Sequence, residues 1–254
     1  MKSRRIPLWS EAVKFYWNKL EAQTDAQGRI SGLKDSGNRA SVTGGKQLDA
    51  LQAVAAAVWK SNPDVEVEVL ISGKKNLPAY FRDYKNWDLL VLHRGLLVAA
   101  MEFKSQKGPS FGNNFNNRTE EALGLATDSK MAFERGLYGP LKPWFGFVML
   151  VEAAPGSREM VKIPQNMPFP VDPIFKRTSY LDRYQIFFER LVAEGFYDAT
   201  ALIAAEVNSE KIFEPSASIS IANLEASIKA RLAYIQALPP ETFDDLASPP
   251  TPEK

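Results

Sequence analysis

The chain has 254 residues, of which 45% are hydrophobic, so it can bury a core sufficient for one large domain or two small ones. It has no cysteine and one histidine, His93, which excludes a disulfide framework, cysteine-ligated zinc and most multi-histidine metal sites. The net charge is +1, yet residues 1–118 carry +7 and the remainder −6, and a basic half of this kind can follow a phosphate backbone. Without an apolar membrane span or a signal peptide, we expect no membrane association and a cytoplasmic protein.

Hydrophobic periodicity predicts helices and strands that alternate along the chain. The predicted helices span residues 8–23, 45–60, 118–135, 180–194 and 219–238, the predicted strands span residues 65–71, 87–92, 96–104, 143–151 and 199–207, and the longer predicted loops span residues 25–43, 72–86, 105–117 and 152–179. This order predicts an α/β class, bordering on α+β, with a mixed central sheet flanked by helices. Residues 1–238 are predicted to form one domain, and the acidic, proline-rich residues 239–254 a disordered tail.

Charged side chains are nearly absent from the predicted strands 87–92 and 96–104, except at one end of the pair. Glu102 and Lys104 are two residues apart on one strand and therefore share a face. Asp88 begins the preceding strand. The sequence thus predicts that three charged groups converge at one end of a hairpin.

The position of Asp88 depends on the length of the turn between these strands. A three-residue turn with Gly95 in the left-handed conformation pairs Asp88 with Ala100, which places Asp88 on the face of Glu102, one diagonal step away. A two-residue turn places Asp88 on the opposite face. The functional interpretation therefore requires the three-residue turn.

Two carboxylates held close together repel each other, and a divalent cation with hard oxygen ligands, Mg²⁺, relieves that repulsion. Such an ion polarises phosphates and lowers the pKa of bound water. We predict Asp88, Glu102 and Phe103 as metal ligands, with Lys104 orienting the nucleophilic water or stabilising charge on a phosphate. The alternative is an ordinary Glu–Lys pair at a strand end, which contributes little.

The segment 102–122, EFKSQKGPSFGNNFNNRTEEA, resembles the XhoI-type restriction endonucleases, and residues 86–91 resemble the first catalytic strand of that family. The similarity extends over most of residues 45–235. It implies a PD-(D/E)XK nuclease fold with Asp88, Glu102 and Lys104 as catalytic residues, although Trp87 replaces the proline of the motif. It also implies a homodimer that cleaves double-stranded DNA with Mg²⁺ at the palindrome CTCGAG, leaving 5′ overhangs, and a cognate methyltransferase that protects host DNA.

Candidate DNA contacts follow the catalytic strand or lie in the basic loop before it. They are Ser105, Gln106, Asn113, Asn114, Asn116, Asn117, Arg118, Lys74 and Lys75, with Arg82 and Lys85 as further candidate phosphate contacts. Asn and Arg side chains match adenine and guanine edges, and lysines match phosphates. A turn rich in Asn and a solvated loop are the alternatives. We interpret Glu120 and Glu121 as acids at a helix start and His93 as structural.

Three other functions fit part of this pattern. The first is a repair or junction-resolving nuclease of the same fold, which does not cleave one defined palindrome. The second is a DNA-binding module without catalysis, which the intact acidic pair and Lys104 disfavour. The third is a carboxylate-dependent hydrolase such as a glycosidase, which Lys104 and the basic half of the chain disfavour.

Overall fold

A computed structural model describes residues 8–30, 47–209, 211–241 and 243. The helices are α1 (Trp9–Ile30), α2 (Asp49–Trp59), α3 (Phe111–Glu134), α4 (Pro155–Arg158), α5 (Tyr180–Ala193) and α6 (Ile221–Ala237), with 3-10 turns at Pro173–Phe175 and Ala217–Ile219. The strands are β1 (Glu68–Leu70), β2 (Asn76–Pro78), β3 (Tyr84–Asn86), β4 (Leu89–His93), β5 (Leu96–Gln106), β6 (Trp144–Glu152), β7 (Ala199–Ala205) and β8 (Ile212–Phe213). No helix in these ranges is both long and apolar enough to span a bilayer.

Six strands form one mixed sheet in the order β1-β4-β5-β6-β7-β8, while β2 and β3 form a separate antiparallel hairpin. Strands β5, β6 and β7 run parallel, and the outer pairs are antiparallel. Both faces of the central strands are apolar and buried, as expected where helices cover a parallel sheet on both sides. The predicted α/β class with a mixed central sheet is confirmed.

Two apolar clusters lie on opposite faces of this sheet. One joins the sheet to α1, α2 and α6, with Trp17, Trp59 and Ile228 among its buried side chains. The other joins it to α3 and α5 through residues such as Ala122 and Tyr184. The architecture is therefore three layers, helix–sheet–helix, and β5 lies in the middle layer.

Strand β5 extends to Gln106 and helix α3 begins at Phe111, so the prediction of a polar loop over residues 105–117 is wrong for residues 105–106 and 111–117. The aromatic side chains of this first turn pack against α5: the ring centroids of Phe115 and Tyr184 lie 4.9 Å apart, and those of Phe111 and Tyr180 lie 6.4 Å apart. This packing outweighs the weak helix propensity of asparagine.

The β2–β3 hairpin occupies residues 76–86 of the predicted loop 72–86, and helix α3 anchors it. Asp128 of α3 is buried, and its carboxylate accepts hydrogen bonds from the backbone amides of Tyr80 and Phe81 at 2.8 and 2.9 Å. Its second oxygen binds Arg82 Nε at 2.8 Å. Tyr138 adds a hydrogen bond from its hydroxyl to the carbonyl of Pro78 at 2.9 Å. Long-range contacts therefore hold two strands that are too short to be recognised from periodicity.

Two further predicted segments, the loop 25–43 and the tail 239–254, are only partly included in the described residues. Helix α1 continues to Ile30 through the start of the predicted loop 25–43, and residues 31–43 lie outside the described residues. In the predicted tail 239–254, Phe243 is only 5% exposed and packs against His93, with ring centroids 4.9 Å apart. The beginning of this segment thus joins the core, while residues 244–254 lie outside the described residues.

Candidate active site

The turn that joins β4 to β5 has two residues, so the prediction of a three-residue turn is wrong. His93 pairs with Leu96, and the intervening Arg94 and Gly95 both have positive φ, 48° and 81°. Positive φ at both central residues is typical of the tight hairpin turn, and glycine adopts it without strain.

A bulge in β5 nevertheless brings Asp88 to the predicted face. The register shifts between Leu92, which pairs with Leu97, and Val91, which pairs with Ala99, so Val98 is an extra residue in β5. Leu89 then pairs with Met101, and one further step brings Asp88 opposite Glu102. The bulge thus reverses the change of face that the shorter turn causes.

The side chain of Asp88 is hydrogen-bonded to the backbone of β5. Its Oδ2 accepts a hydrogen bond from the amide of Phe103 at 2.8 Å. Burial, and secondly the negative charge of Glu102, raise the pKa of the Asp88 carboxyl to about 6, although the Phe103 amide and nearby lysines act in the opposite direction. The ionised form of Asp88 is therefore disfavoured at neutral pH, because this carboxylate is largely buried and lies beside that of Glu102.

Glu102 is only 2% exposed and contacts two ammonium groups. Lys104 Nζ lies 2.7 Å from Oε1, and Lys85 Nζ lies 3.2 Å from Oε1 and 3.0 Å from Oε2. Burial lowers the pKa of Lys104, but the adjacent Glu102 carboxylate more than offsets this, so the pKa is raised overall. Lys104 is therefore positively charged, as a group that stabilises a phosphate must be.

These side chains open into a cleft of about 340 Å³ between β5 and α3. The charged residues that line it are Arg82, Lys85, Glu102, Lys104, Glu120 and Glu121. The last two face the cleft from within α3, which begins earlier at Phe111, so their interpretation as acids at a helix start is wrong. The cleft is thus a partly buried, strongly charged site at the end of a hairpin.

The family model for the restriction endonuclease XhoI matches residues 27–215. The chain belongs to the XhoI restriction endonuclease family. The type II restriction enzyme BstVI of Geobacillus stearothermophilus is 44% identical over 179 residues, 68% of this chain and 80% of that enzyme. The corresponding enzyme XhoI of Xanthomonas vasicola is 42% identical over 178 residues, 66% of this chain and 71% of XhoI. AbrI of Azospirillum brasilense is 44% identical over 153 residues, 59% of this chain and 67% of AbrI.

No solved structure matches the chain significantly. The family match confirms the resemblance seen in the sequence, the enzyme class of type II restriction endonuclease and the restriction-endonuclease-like fold. In this XhoI-family enzyme the matched range includes Asp88, Glu102 and Lys104.

The oxygen ligands at the site suit Mg²⁺. The described residues contain no group of three or more His, Cys, Asp or Glu placed to hold a metal, so an ion at the hairpin end would rely on the carboxylates of Asp88 and Glu102 together with backbone and solvent oxygens. The backbone amide of Phe103 points toward Asp88. Because the amide and carbonyl of one strand residue point to the same edge of the strand, the Phe103 carbonyl is also on the Asp88 side of β5. Two carboxylates, one carbonyl and solvent form a ligand set that Mg²⁺ commonly accepts.

The predicted base-reading residues lie on the first turns of α3 rather than in a loop. Asn113, Asn116 and Asn117 are exposed along one face of the helix. Asn114 and Arg118 are partly buried, and Arg118 forms an ion pair with Glu121. The exposed face is thus the part of this segment open to a ligand.

The remaining predicted DNA contacts differ in exposure. Gln106 is buried; its Nε2 donates to the carbonyl of Phe111 at 3.1 Å, and its Oε1 accepts from Tyr184. These contacts fix the start of α3 and do not favour the DNA contact predicted for Gln106. Ser105 is partly buried and hydrogen-bonds to Tyr16, whose pKa burial raises to about 12. Lys74 is exposed and Lys75 partly so.

Sequence reasoning missed the contact between Lys85 and Glu102. The sequence predicts Lys85 only as a phosphate contact in a basic loop, because the short strands of the β2–β3 hairpin leave no periodic pattern. Its position three residues before Asp88 was the one available signal. His93, interpreted as structural, lies at the turn, where its Nδ1 is 2.6 Å from the carbonyl oxygen of Glu66.

Proposed function

We propose that this restriction endonuclease hydrolyses phosphodiester bonds of double-stranded DNA with Mg²⁺, at a palindromic site such as CTCGAG, leaving 5′ overhangs. One observation carries the proposal: the bulge at Val98 brings Asp88 opposite Glu102, while Lys104 contacts Glu102 at 2.7 Å in a charged cleft. The sequence resemblance supports the choice of site, and family membership supports the reaction.

Each side chain has a distinct role in this proposal. Asp88, Glu102 and the Phe103 carbonyl hold the ion, which supplies Lewis acidity toward the phosphate and water. A proton competes with the ion for the Asp88 carboxylate, so its raised pKa of about 6 in the metal-free protein predicts weaker ion binding at acidic pH. Lys104 donates hydrogen bonds to the non-bridging oxygens of the scissile phosphate as negative charge grows there.

DNA contacts are proposed on both sides of the cleft. The exposed face of α3, with Asn113, Asn116 and Asn117, is proposed to contact base edges, aided by Asn114 and Arg118. Ser105, just past the site in β5, is proposed to contact the scissile backbone. Lys74 and Lys75, beside the β2–β3 hairpin, are proposed to contact phosphates. Gln106 has a supporting role in this arrangement because its amide already binds Phe111 and Tyr184.

The palindromic target further suggests a twofold homodimer, in which each protomer cleaves one strand. A cognate methyltransferase would act as a functional partner that modifies the same sequence in host DNA. Both enzymes would then act on DNA in the cytoplasm.

The test is digestion of a plasmid of known sequence by the purified full-length chain, with sequencing of the ends. We expect discrete fragments with 5′ overhangs at one palindrome in Mg²⁺, and no cleavage in EDTA. The Asp88→Asn variant, purified identically, controls for contaminating nucleases. Cleavage without a divalent ion, or at unrelated sequences, would contradict the proposal.

A further inference from the structure

Lys85 reaches the acidic pair from a different element than the catalytic strand. Its Nζ lies 3.0 and 3.2 Å from the two carboxylate oxygens of Glu102, whereas Lys104 Nζ is paired with one of them at 2.7 Å. Lys85 Nζ therefore contacts both oxygens of the Glu102 carboxylate, as a metal ion does when a carboxylate binds it in bidentate fashion.

The fold fixes Lys85 in this position. It lies in β3, and the hairpin that contains β3 is attached to α3 by the three contacts of Asp128 and to the segment after α3 by the Tyr138 hydroxyl. Lys85 Nζ also donates to the carbonyl of Asn86, and its side chain is only 20% exposed. Lys85 is thus held at the site and differs from the mobile lysines of a surface loop.

The charges explain why a cation is needed there. Asp88 and Glu102 together carry two negative charges when ionised, and burial of such a pair requires compensation. Lys85 and Lys104 supply two positive charges. A divalent ion that binds both carboxylates would bring two more positive charges into the same space. Lys85 Nζ lies at the position where that ion would contact Glu102.

We propose that the Lys85 ammonium substitutes for the divalent cation at Glu102, and that metal binding displaces it into the cleft, where it contacts the DNA backbone. The inference rests on the proposed Mg²⁺-dependent function. It assigns Lys85 as a positioning residue that couples the two ligands. The Lys85 ammonium repels the ion at Glu102 but attracts a DNA phosphate in the cleft. Bound DNA therefore holds Lys85 away from Glu102, so that each ligand strengthens binding of the other.

The first test is calorimetric titration of the DNA-free protein with Mn²⁺. Lys85→Met removes the competing charge while retaining much of the chain length, and we expect at least about tenfold tighter ion binding than in the wild type. Lys130→Met, at an exposed lysine of α3 with no role in the proposed site, is the matched control and should leave the affinity unchanged. Lys85→Arg retains the charge and should bind as the wild type does.

The second test uses the wild-type protein and requires no variant. Acetic anhydride labelling followed by mass spectrometry reports the reactivity of each lysine. We expect Mg²⁺ to raise labelling of Lys85 several-fold relative to Lys74, because displacement frees its ammonium from Glu102.

Unchanged or weaker Mn²⁺ binding by Lys85→Met, or Lys85 labelling that does not rise with Mg²⁺, would overturn the inference. If the wild type binds Mn²⁺ and cleaves DNA in such a case, the proposed metal-dependent function stands without the Lys85 role. If neither wild type nor Lys85→Met binds any Mn²⁺, the metal dependence and the inference fail together.

Discussion

Asp88→Asn is expected to stabilise the metal-free protein and to abolish its activity. The folded-state pKa of Asp88 is about 6, against an ordinary value of 3.8, because burial and the Glu102 charge disfavour the carboxylate. That difference corresponds to about 3 kcal/mol of destabilisation once the group is ionised. Asparagine carries no charge, yet keeps an oxygen that accepts from the Phe103 amide at the present 2.8 Å.

The sign of the pH dependence follows from the direction of the shift. A folded-state pKa above the unfolded value favours the folded protein at low pH, and this advantage is lost as pH rises through about 6. The stability gained by Asp88→Asn should therefore increase between pH 4.5 and pH 7.5, by about 2 kcal/mol. Most of the change falls below pH 6.

Urea denaturation in EDTA at these two pH values measures the effect. Asp83→Asn is the control, since Asp83 is exposed and, like Asp88, accepts a hydrogen bond from a backbone amide, that of Tyr84. Saturating Mg²⁺ should then stabilise the wild type, by about 2.7 kcal/mol at one hundred times its dissociation constant, and leave Asp88→Asn unaffected. DNA binding should persist in the variant, because a negative charge beside phosphate has been removed.

Equal stabilities of Asp88→Asn and wild type at pH 7.5 would refute the reasoning. So would a stability gain that shrinks with rising pH, since both results require that burial and the charge of Glu102 do not disfavour the Asp88 carboxylate in the folded protein. Retained cleavage by Asp88→Asn would separately remove Asp88 from the catalytic site.

Four further outcomes are expected. Lys104→Ala should lower single-turnover cleavage at least about a hundredfold while DNA binding in a gel shift persists; near wild-type turnover would exclude its catalytic role. Asp128→Ala should cost about 2–4 kcal/mol in urea denaturation and speed proteolysis within the β2–β3 hairpin, because two amides and Arg82 lose a buried partner; an unchanged midpoint would refute the anchor. Asn113→Ala and Asn117→Ala should reduce discrimination against single-mismatch sites, each by about 1–3 kcal/mol, whereas Lys74→Ala should weaken all sequences alike, and full discrimination in the Asn variants would place base readout elsewhere. Sedimentation should give a dimer on DNA, and a monomer both free and bound would contradict the twofold arrangement.

The hairpin of β4 and β5 shows what alternation along strands can and cannot predict. Alternation placed Glu102 and Lys104 on one face, and the structure has them in contact. The predicted route for Asp88 through a three-residue turn was wrong, because Arg94 and Gly95 form a two-residue turn and Val98 forms a bulge. The shorter turn moves Asp88 to the opposite face of the sheet and the bulge moves it back, so the two effects cancel. Neither irregularity has a signal in the hydrophobic pattern.

The asparagine-rich start of α3 was predicted as a loop for a related reason. Asparagine disfavours a helix locally, and only the packing of Phe111 and Phe115 against α5, distant in sequence, reverses that preference. The same packing requires Gln106 to bind Phe111 and Tyr184, which turns a candidate DNA contact into a support for the helix. Local propensity thus fails where distant aromatic contacts decide the structure.

The role of Lys85 illustrates the limit that matters most for function. In the sequence it is one of several lysines in a polar stretch, and only its position three residues before Asp88 distinguishes it from Lys74 and Lys75. Asp128, more than forty residues later, fixes the hairpin that delivers it to Glu102. The acidic residues and Lys104 are close in sequence because one hairpin presents them, so a motif reveals them. A cation supplied by a separate hairpin has no fixed spacing from that motif, and only the folded chain identifies it.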